Sequence, residues 1–400
     1  MAFTRTIIFI RVAELLFQIP CHGNKITNSN SQQPLAVNVA LHSGSILIAA
    51  SVKSLDKVKV VQYGLGPIGL SIAETLLSRP WAELVGAIDL DKSKSGKDVG
   101  ELLGRPEKIG LKVTANSDEI LRKERPDIVT HSTSSSLKTV YSQVSKILEN
   151  NSCVVSTAEE LSYPFIKYPD LSDQIDELAR AKHRIILGTG VNPGFLLDFL
   201  PVVLSGACRK IISIRAERVV DASRRRFPLQ KKIGAGLSTM EFEQKVAAEA
   251  IKHVGLPESV GLISLAMGWR LGEIQERLTP VIAEKDTHSD YFKVPKGHVA
   301  GIRQVAKGIL AGQELVVLDL RMYLGAQNPH DSILIDGDPP LDMTIRGGVH
   351  GDRATTAIVV NSIPRVLQLN PGLRTVIDLP PFPPCPNLTD TDRSVMLKTF

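Results

Sequence analysis

The chain has 400 residues, of which 43% are hydrophobic and 22% charged, and its formal net charge is +5 at pH 7. That length holds two domains with proper cores, and the composition is that of an ordinary globular protein. Dispersed charge and an aromatic content of 5% argue against a nucleic-acid surface or a base-stacking platform. The four cysteines, Cys21, Cys153, Cys208 and Cys385, lack C-x-x-C spacing. Neither a disulfide framework nor a zinc site is expected, and the chain reads as a soluble, reduced, intracellular enzyme.

Residues 1–55 stand apart. The opening "MAFTRTIIFIRVAELLFQIPCHG" is apolar but interrupted by Arg11 and Glu14. No run reaches the roughly 18–20 residues that span a bilayer, so no membrane segment is expected. Past Pro20 neither helical nor strand periodicity is visible. The segment reads either as an organelle-targeting presequence, being poor in acidic residues, or as a disordered extension.

From Lys57 the pattern is regular. A β-branched run ends at Tyr63 and enters Gly64-Leu65-Gly66-Pro67-Ile68-Gly69, the G-x-G-x-x-G spacing that turns a chain tightly and lays backbone N–H groups against a pyrophosphate. Alone the motif is weak. Here a helical pattern follows, with Ile68, Ile72, Leu76 and Leu77 on one face, and then the strand "AELVGAID". That strand ends in Asp89, 20 residues after Gly69, where a dinucleotide unit places the acid that takes the adenosine ribose hydroxyls. A dinucleotide-binding domain is expected over 56–192. Asp89 opposes a 2′-phosphate, whereas Lys92, Ser93, Lys94 and Ser95 stand ready to receive one, so both NAD and NADP are expected as cofactors.

Three further strand-to-loop transitions follow, in "PDIVTHSTSSS", "SCVVSTAEEL" and "HRIILGTGVNPGF". Five or six strands alternating with helices give a parallel, doubly wound sheet whose ligands sit beyond the carboxyl ends of its strands. Ser132 and Thr133, Thr157 with Glu159 and Glu160, and the 190–194 loop should therefore face cofactor and substrate. Asn192-Pro193-Gly194 reads as the start of a helix, with Asn192 also placed to hydrogen-bond the nicotinamide carboxamide.

After Pro193 the alternation stops. "ACRKIISIRAERVVDAS" is a long strand, "TMEFEQKVAAEAIKHV" and "PESVGLISLAMGWRL" are helices, and "LTPVIAEK", "HVAGIRQVAKGIL" and "ELVVLDLRMYLGA" are strands. The last two meet at the tight turn Ala311-Gly312-Gln313. An α+β substrate and dimerisation domain with an open antiparallel sheet is expected over 193–345. A helical segment over 346–380 packs back on the first domain, and 381–400 is a proline-rich tail. The fold class is thus α/β, a Rossmann domain followed by this second domain.

The order GLGPIG, AIDLD, STAEELSYP, GTGVNPG and RVVDA…QKKIGAG resembles the 2,4-diaminopentanoate dehydrogenase family and its relatives, the native amine dehydrogenases, across Lys57 to Leu379. These look like distant cousins of 4-hydroxy-tetrahydrodipicolinate reductase. That enzyme carries a His-His-x-x-Lys segment and a P-S-G-T loop where this chain has Arg218-Val219-Val220-Asp221 and "RRRFPLQKKIGAG". The resemblance implies a homodimer that interconverts an amine with a ketone plus ammonia using NAD(P). It also places the catalytic glutamate in the Glu159-Glu160 pair.

Reductive amination needs ammonia deprotonated, water lost from a carbinolamine and hydride delivered to an iminium, work that one desolvated carboxylate performs. Glu159 is preferred, because Glu160 is placed to point into the first turn of the following helix and offset its dipole. Arg218 and Asp221 project toward the expected cleft as substrate contacts or as a structural ion pair. Arg224, Arg225 and Arg226 with Lys231 and Lys232 either hold a carboxylate or phosphate or form a solvated loop. Cys153 begins a β run and is expected to be buried and inert. The nine histidines show no ligand spacing, His350 included, and no metal is expected. The leading expectation is an amine dehydrogenase for a small ketone or aldehyde, or for an amino acid with a distal amine. The alternatives are a dipicolinate-type imine reductase, opposed by the missing His-Lys motif, and a noncatalytic NAD(P)-binding redox sensor, opposed by the acidic pair.

Overall fold

The structure, a computed structural model, describes residues 37–42, 45–50, 57–251 and 253–384. The chain divides into two units, 1–55 and 56–400. Within it Val37–His42 pairs antiparallel with Ser45–Ala50, a hairpin where the sequence suggested no strand. Of the expected leader or extension over 1–55, residues 1–36, 43–44 and 51–55 lie outside the described residues, as does the tail from 385 onward.

The second unit begins at Asp56. Its first sheet has seven parallel strands, one or two more than the sequence suggested, in the order Gly372–Arg374, Ile185–Gly188, Cys153–Ser156, Ile128–His131, Val58–Tyr63, Ala82–Ile88, Val113–Thr114. Near-continuous burial of these strands fits a sheet covered on both faces. Register brings Tyr63 beside His131, His131 beside Ser156, and Ser156 beside Gly188. Four loops therefore leave the sheet along one edge.

The edge strand Gly372–Arg374 comes from the far end of the chain, and the helix Gly351–Val366 before it packs against the helix Pro67–Leu77. Thr356 donates to Ser71 at 3.1 Å, and Arg79 to Asn361 at 3.3 Å. Ser71 in the first helix and Arg79 just past its end meet Thr356 and Asn361 in the same order, so the two helices run in the same direction and their N-termini lie side by side.

The second sheet has six strands in the order Glu273–Ile282, Val299–Leu310, Gln313–Tyr323, Lys210–Asp221, His330–Asp338, Leu341–Arg346. It is mixed rather than antiparallel, because Gln313–Tyr323 runs parallel to Lys210–Asp221. The long strand is closed on one side by a chain segment arriving from the same end, which no local pattern announces. Ala311 and Gly312 both take positive φ, 51° and 79°, as a two-residue hairpin turn requires. One face of the sheet is covered by the helix Leu256–Met267 and its neighbours around a core that includes Ile302, Leu318 and Leu320. The helix Thr239–Ala247 starts in a capping box between Ser238 and Glu241 but ends earlier than its periodicity suggested, with Glu249 at φ 53°.

Candidate functional site

The loops at the sheet edge and the first strand of the second sheet enclose a cavity of about 430 Å³. Its floor is the glycine turn. Gly64 has φ +89°, and a Cβ there would stand 2.4 Å from the Ser132 carbonyl oxygen. A Cβ on Gly69 would stand 1.8 Å from the Gly64 carbonyl oxygen, whereas one on Gly66 would meet nothing within 4 Å. Two glycines thus shape the turn, and the third leaves space open at the N-terminus of Pro67–Leu77, the arrangement that takes a pyrophosphate. Pro67 occupies the first turn, where its missing N–H costs nothing. Gly66, Pro67 and Ile68 line the cavity, as do Ser132, Thr133 and Thr157.

Asp89 stands at the end of the adjacent strand, outside the cavity wall. Its Oδ2 accepts the Leu65 N–H at 2.7 Å and lies 2.9 Å from Lys94 Nζ, while Oδ1 accepts the Asp91 N–H at 2.8 Å. Burial alone would raise this carboxyl, but Lys94 and the two N–H groups outweigh it and hold the pKa below its ordinary value.

The two consecutive glutamates diverge in the short 3-10 turn Glu159–Ser162. Glu160 is 4% exposed. Its Oε1 lies 2.5 Å from Lys167 Nζ, and its Oε2 accepts the Leu137 N–H at 2.8 Å. It therefore caps the helix Leu137–Glu149, which precedes it in the chain, rather than the helix that follows. Burial would raise Glu160, but Lys167 and the Leu137 N–H outweigh it and lower its pKa. Glu159 lines the cavity. Burial raises its pKa, and the Ser135 hydroxyl and the Lys232 charge offset that only in part.

The 189–198 loop does not begin a helix at Asn192. The Asn192–Pro193 peptide is cis, and the next helix spans Phe199–Ser205. Buried Asp198 holds the loop by accepting the Gly194 N–H at 2.8 Å, the Phe199 N–H at 2.6 Å and the Ser259 hydroxyl at 2.7 Å. Thr189 Oγ1 and both amide atoms of Asn192 are buried, line the cavity and have no hydrogen-bond partner. Buried polar atoms in that state mark a place for a polar ligand. Asn192 was singled out from the sequence, whereas Thr189 was passed over although it sits between the strand-ending Gly188 and Gly190.

From the second domain, Arg218 lines the cavity at 4% exposure. Its Nη2 donates to the Val349 carbonyl at 2.7 Å, and its Nη1 lies 3.1 Å from Asp331 Oδ1 without hydrogen-bond alignment. Asp221 instead accepts the Ser223 N–H at 3.0 Å and the Gly325 N–H at 3.2 Å, a turn-capping position off the cavity wall. The basic cluster divides: Arg225, Arg226 and Lys232 line the cavity, whereas Arg224 and Lys231 are exposed and off its wall. His253 also faces it, and burial, with Lys232 and Arg218 adding repulsion, pushes its pKa down to about 3. It is therefore neutral at working pH. Cys153 is buried, and burial raises its thiol pKa. His350 caps the helix Gly351–Val366. Among the described residues no cluster of His, Cys, Asp or Glu has metal-binding geometry, and no helix is long and apolar enough to cross a membrane.

The sequence model of the 2,4-diaminopentanoate dehydrogenase C-terminal domain matches residues 195–394. The curated 2,4-diaminopentanoate dehydrogenase of Acetoanaerobium sticklandii is 31% identical over 334 residues, which cover 82% of this chain and 94% of that one. An amine dehydrogenase of Streptomyces virginiae is 23% identical over 354 residues, 81% of this chain and 96% of its own. Among solved structures, an amine dehydrogenase from Mycobacterium smegmatis shares the fold with a TM-score of 0.73 at 24% identity, across 82% of this chain and 97% of that one.

Proposed function

The chain belongs to the 2,4-diaminopentanoate dehydrogenase family, and on that premise we propose that it is an NAD(P)-dependent amine dehydrogenase with Glu159 as its acid–base group. The observation that carries the reading is one desolvated carboxyl facing a cavity whose floor is the dinucleotide turn. The glycine turn fits the pyrophosphate, and the unpartnered Thr189 and Asn192 fit the carboxamide end of the nucleotide. When bound, NAD(P)H supplies the hydride.

Glu159 as carboxylate takes a proton from ammonium, freeing ammonia to attack the carbonyl carbon. The resulting acid gives its proton to the carbinolamine hydroxyl, which leaves as water. The regenerated carboxylate then faces the iminium cation and stabilises it as hydride arrives. In sum, ketone, ammonium, reduced nucleotide and one proton yield the amine cation, oxidised nucleotide and water. The raised pKa of Glu159 suits a group that must both take and give a proton within one cycle.

Lys232 on the cavity wall favours a substrate that also carries an anionic group. The name of the Acetoanaerobium relative, a dehydrogenase of a diamino acid, supports that class. A homodimer belongs to this reading. Its contact is the second face of the six-stranded sheet, where Arg303, Asp319 and Arg321 form a part-exposed ladder of charges. Light scattering showing a monomer at working concentration would remove the dimer. The enzymatic reading is tested by whether nucleotide oxidation with a small ketone or keto acid requires ammonium.

A further inference from the structure

We propose that Arg225 and Arg226 of the second domain form a clamp for the nucleotide pyrophosphate, and that Asp352 is the anion they hold when no nucleotide is bound. The inference rests on the dinucleotide-binding part of the reading above and not on the amine chemistry. Its starting point is the parallel packing of Pro67–Leu77 and Gly351–Val366, held by the Thr356–Ser71 and Arg79–Asn361 contacts. With their axes about 8–10 Å apart, as packed helices are, the second helix starts beside the glycine turn that receives the pyrophosphate. Asp352 lies in the first turn of that second helix.

Both arginines converge on it. Arg225 Nη2 lies 2.8 Å from Asp352 Oδ1, and Arg226 Nε lies 3.1 Å from Oδ2. Two cations against one carboxylate leave a positive charge facing a cavity that Gly66, Pro67 and Ile68 also line. The Arg225 side chain is only 10% exposed, yet its buried Nε has no hydrogen-bond partner. A guanidinium is an expensive group to leave incompletely bonded out of water, and its planar fork matches phosphate oxygens in pairs. The two helix N-termini add their partial positive charge at the same place. A doubly charged pyrophosphate arriving there competes with Asp352 for both arginines, so the acid weakens nucleotide binding.

The opposite signs of two substitutions test this in the full chain without turnover. NADH and ADP-ribose are titrated in the absence of any carbonyl substrate, by nucleotide fluorescence and by calorimetry respectively. Arg225→Gln is expected to raise Kd about tenfold for both ligands, with Arg226→Gln a weaker second case. Asp352→Asn keeps the shape, removes the competing charge and is expected to lower Kd several-fold. Adenosine, which lacks both phosphates, should bind all variants alike. Unchanged Kd in Arg225→Gln, with only the KM of a carboxylate-bearing substrate raised, would assign the arginines to substrate and overturn the clamp. Weaker binding in Asp352→Asn would overturn it too, because that is what mere loss of structure gives.

Discussion

Glu160 Oε1 lies 2.5 Å from Lys167 Nζ and its Oε2 accepts the Leu137 N–H, while Glu159, the preceding residue, lines the cavity. The same short turn thus lowers one pKa and raises the other. A separation of this kind assigns the two carboxyls different work. Glu160 fixes the turn, and Glu159 is left desolvated on the cavity wall.

Glu160→Gln is therefore expected to lower stability first. Losing a charged hydrogen bond and a part-exposed ion pair costs about 1–3 kcal/mol, seen as a drop in Tm of several degrees at pH 7. The folded pKa of Glu160 is depressed, so its contribution is present above the ordinary carboxyl pKa and fades as pH falls through the folded value. Melting curves of the two proteins should converge in acid. A Tm unchanged at neutral pH would show that the Lys167 contact carries no stability.

Asp89→Ala should move cofactor preference toward NADP. The carboxylate that repels a 2′-phosphate disappears, and Lys94, now 2.9 Å from it, is released for that phosphate. The ratio of kcat/KM for NADPH over NADH should rise by about tenfold, a change worth about 1.4 kcal/mol. An unchanged ratio would remove Asp89 from the ribose site.

Glu258, 6% exposed in the first turn of Leu256–Met267, has its pKa pushed up to about 7 by burial, with Glu160 and Glu276 adding repulsion. A raised carboxyl pKa means that the folded state holds the proton more tightly. Stability is accordingly lost as pH climbs from the ordinary value of 4.5 to about 7, and the loss is complete above that. Glu258→Gln should melt with wild type near pH 4.5 and several degrees above it at pH 8. Equal melting points at pH 8 would contradict the burial argument.

The parallel sheet was legible because each of its main strands carries its own apolar run and ends in a loop with a distinctive motif. The glycine turn and Asp89 followed from spacing alone. What stayed hidden was long-range. The mixed order of the second sheet depends on Gln313–Tyr323 settling beside Lys210–Asp221, a pairing of distant segments that leaves no local trace. The strands His330–Asp338 and Leu341–Arg346 were missed although Asp331, Ile333 and Ile335 alternate inward. Asn192 looked like a helix cap because its neighbours suit one, but the loop is held by Asp198, whose partner Ser259 lies far along the chain. The Arg225–Asp352 contact likewise joins residues that only the folded chain brings together.

A chain lacking residues 1–55 should keep the Tm and the NADH affinity of the full protein, since that segment forms a unit of its own. A truncated protein that precipitates or loses nucleotide binding would place part of the core in those residues.

Amine dehydrogenase activity is decided by following NADH or NADPH oxidation with a small ketone or keto acid, with and without ammonium, from about pH 7 to about 9.5. Nucleotide should be consumed only when ammonium is present, and faster as pH rises toward the ammonium pKa, because an iminium cannot form without free ammonia. Glu159→Gln, tested alongside, should lose about 10²–10⁴ in rate while binding nucleotide normally. Oxidation that proceeds equally well without ammonium, or a fully active Glu159→Gln enzyme, would contradict the account.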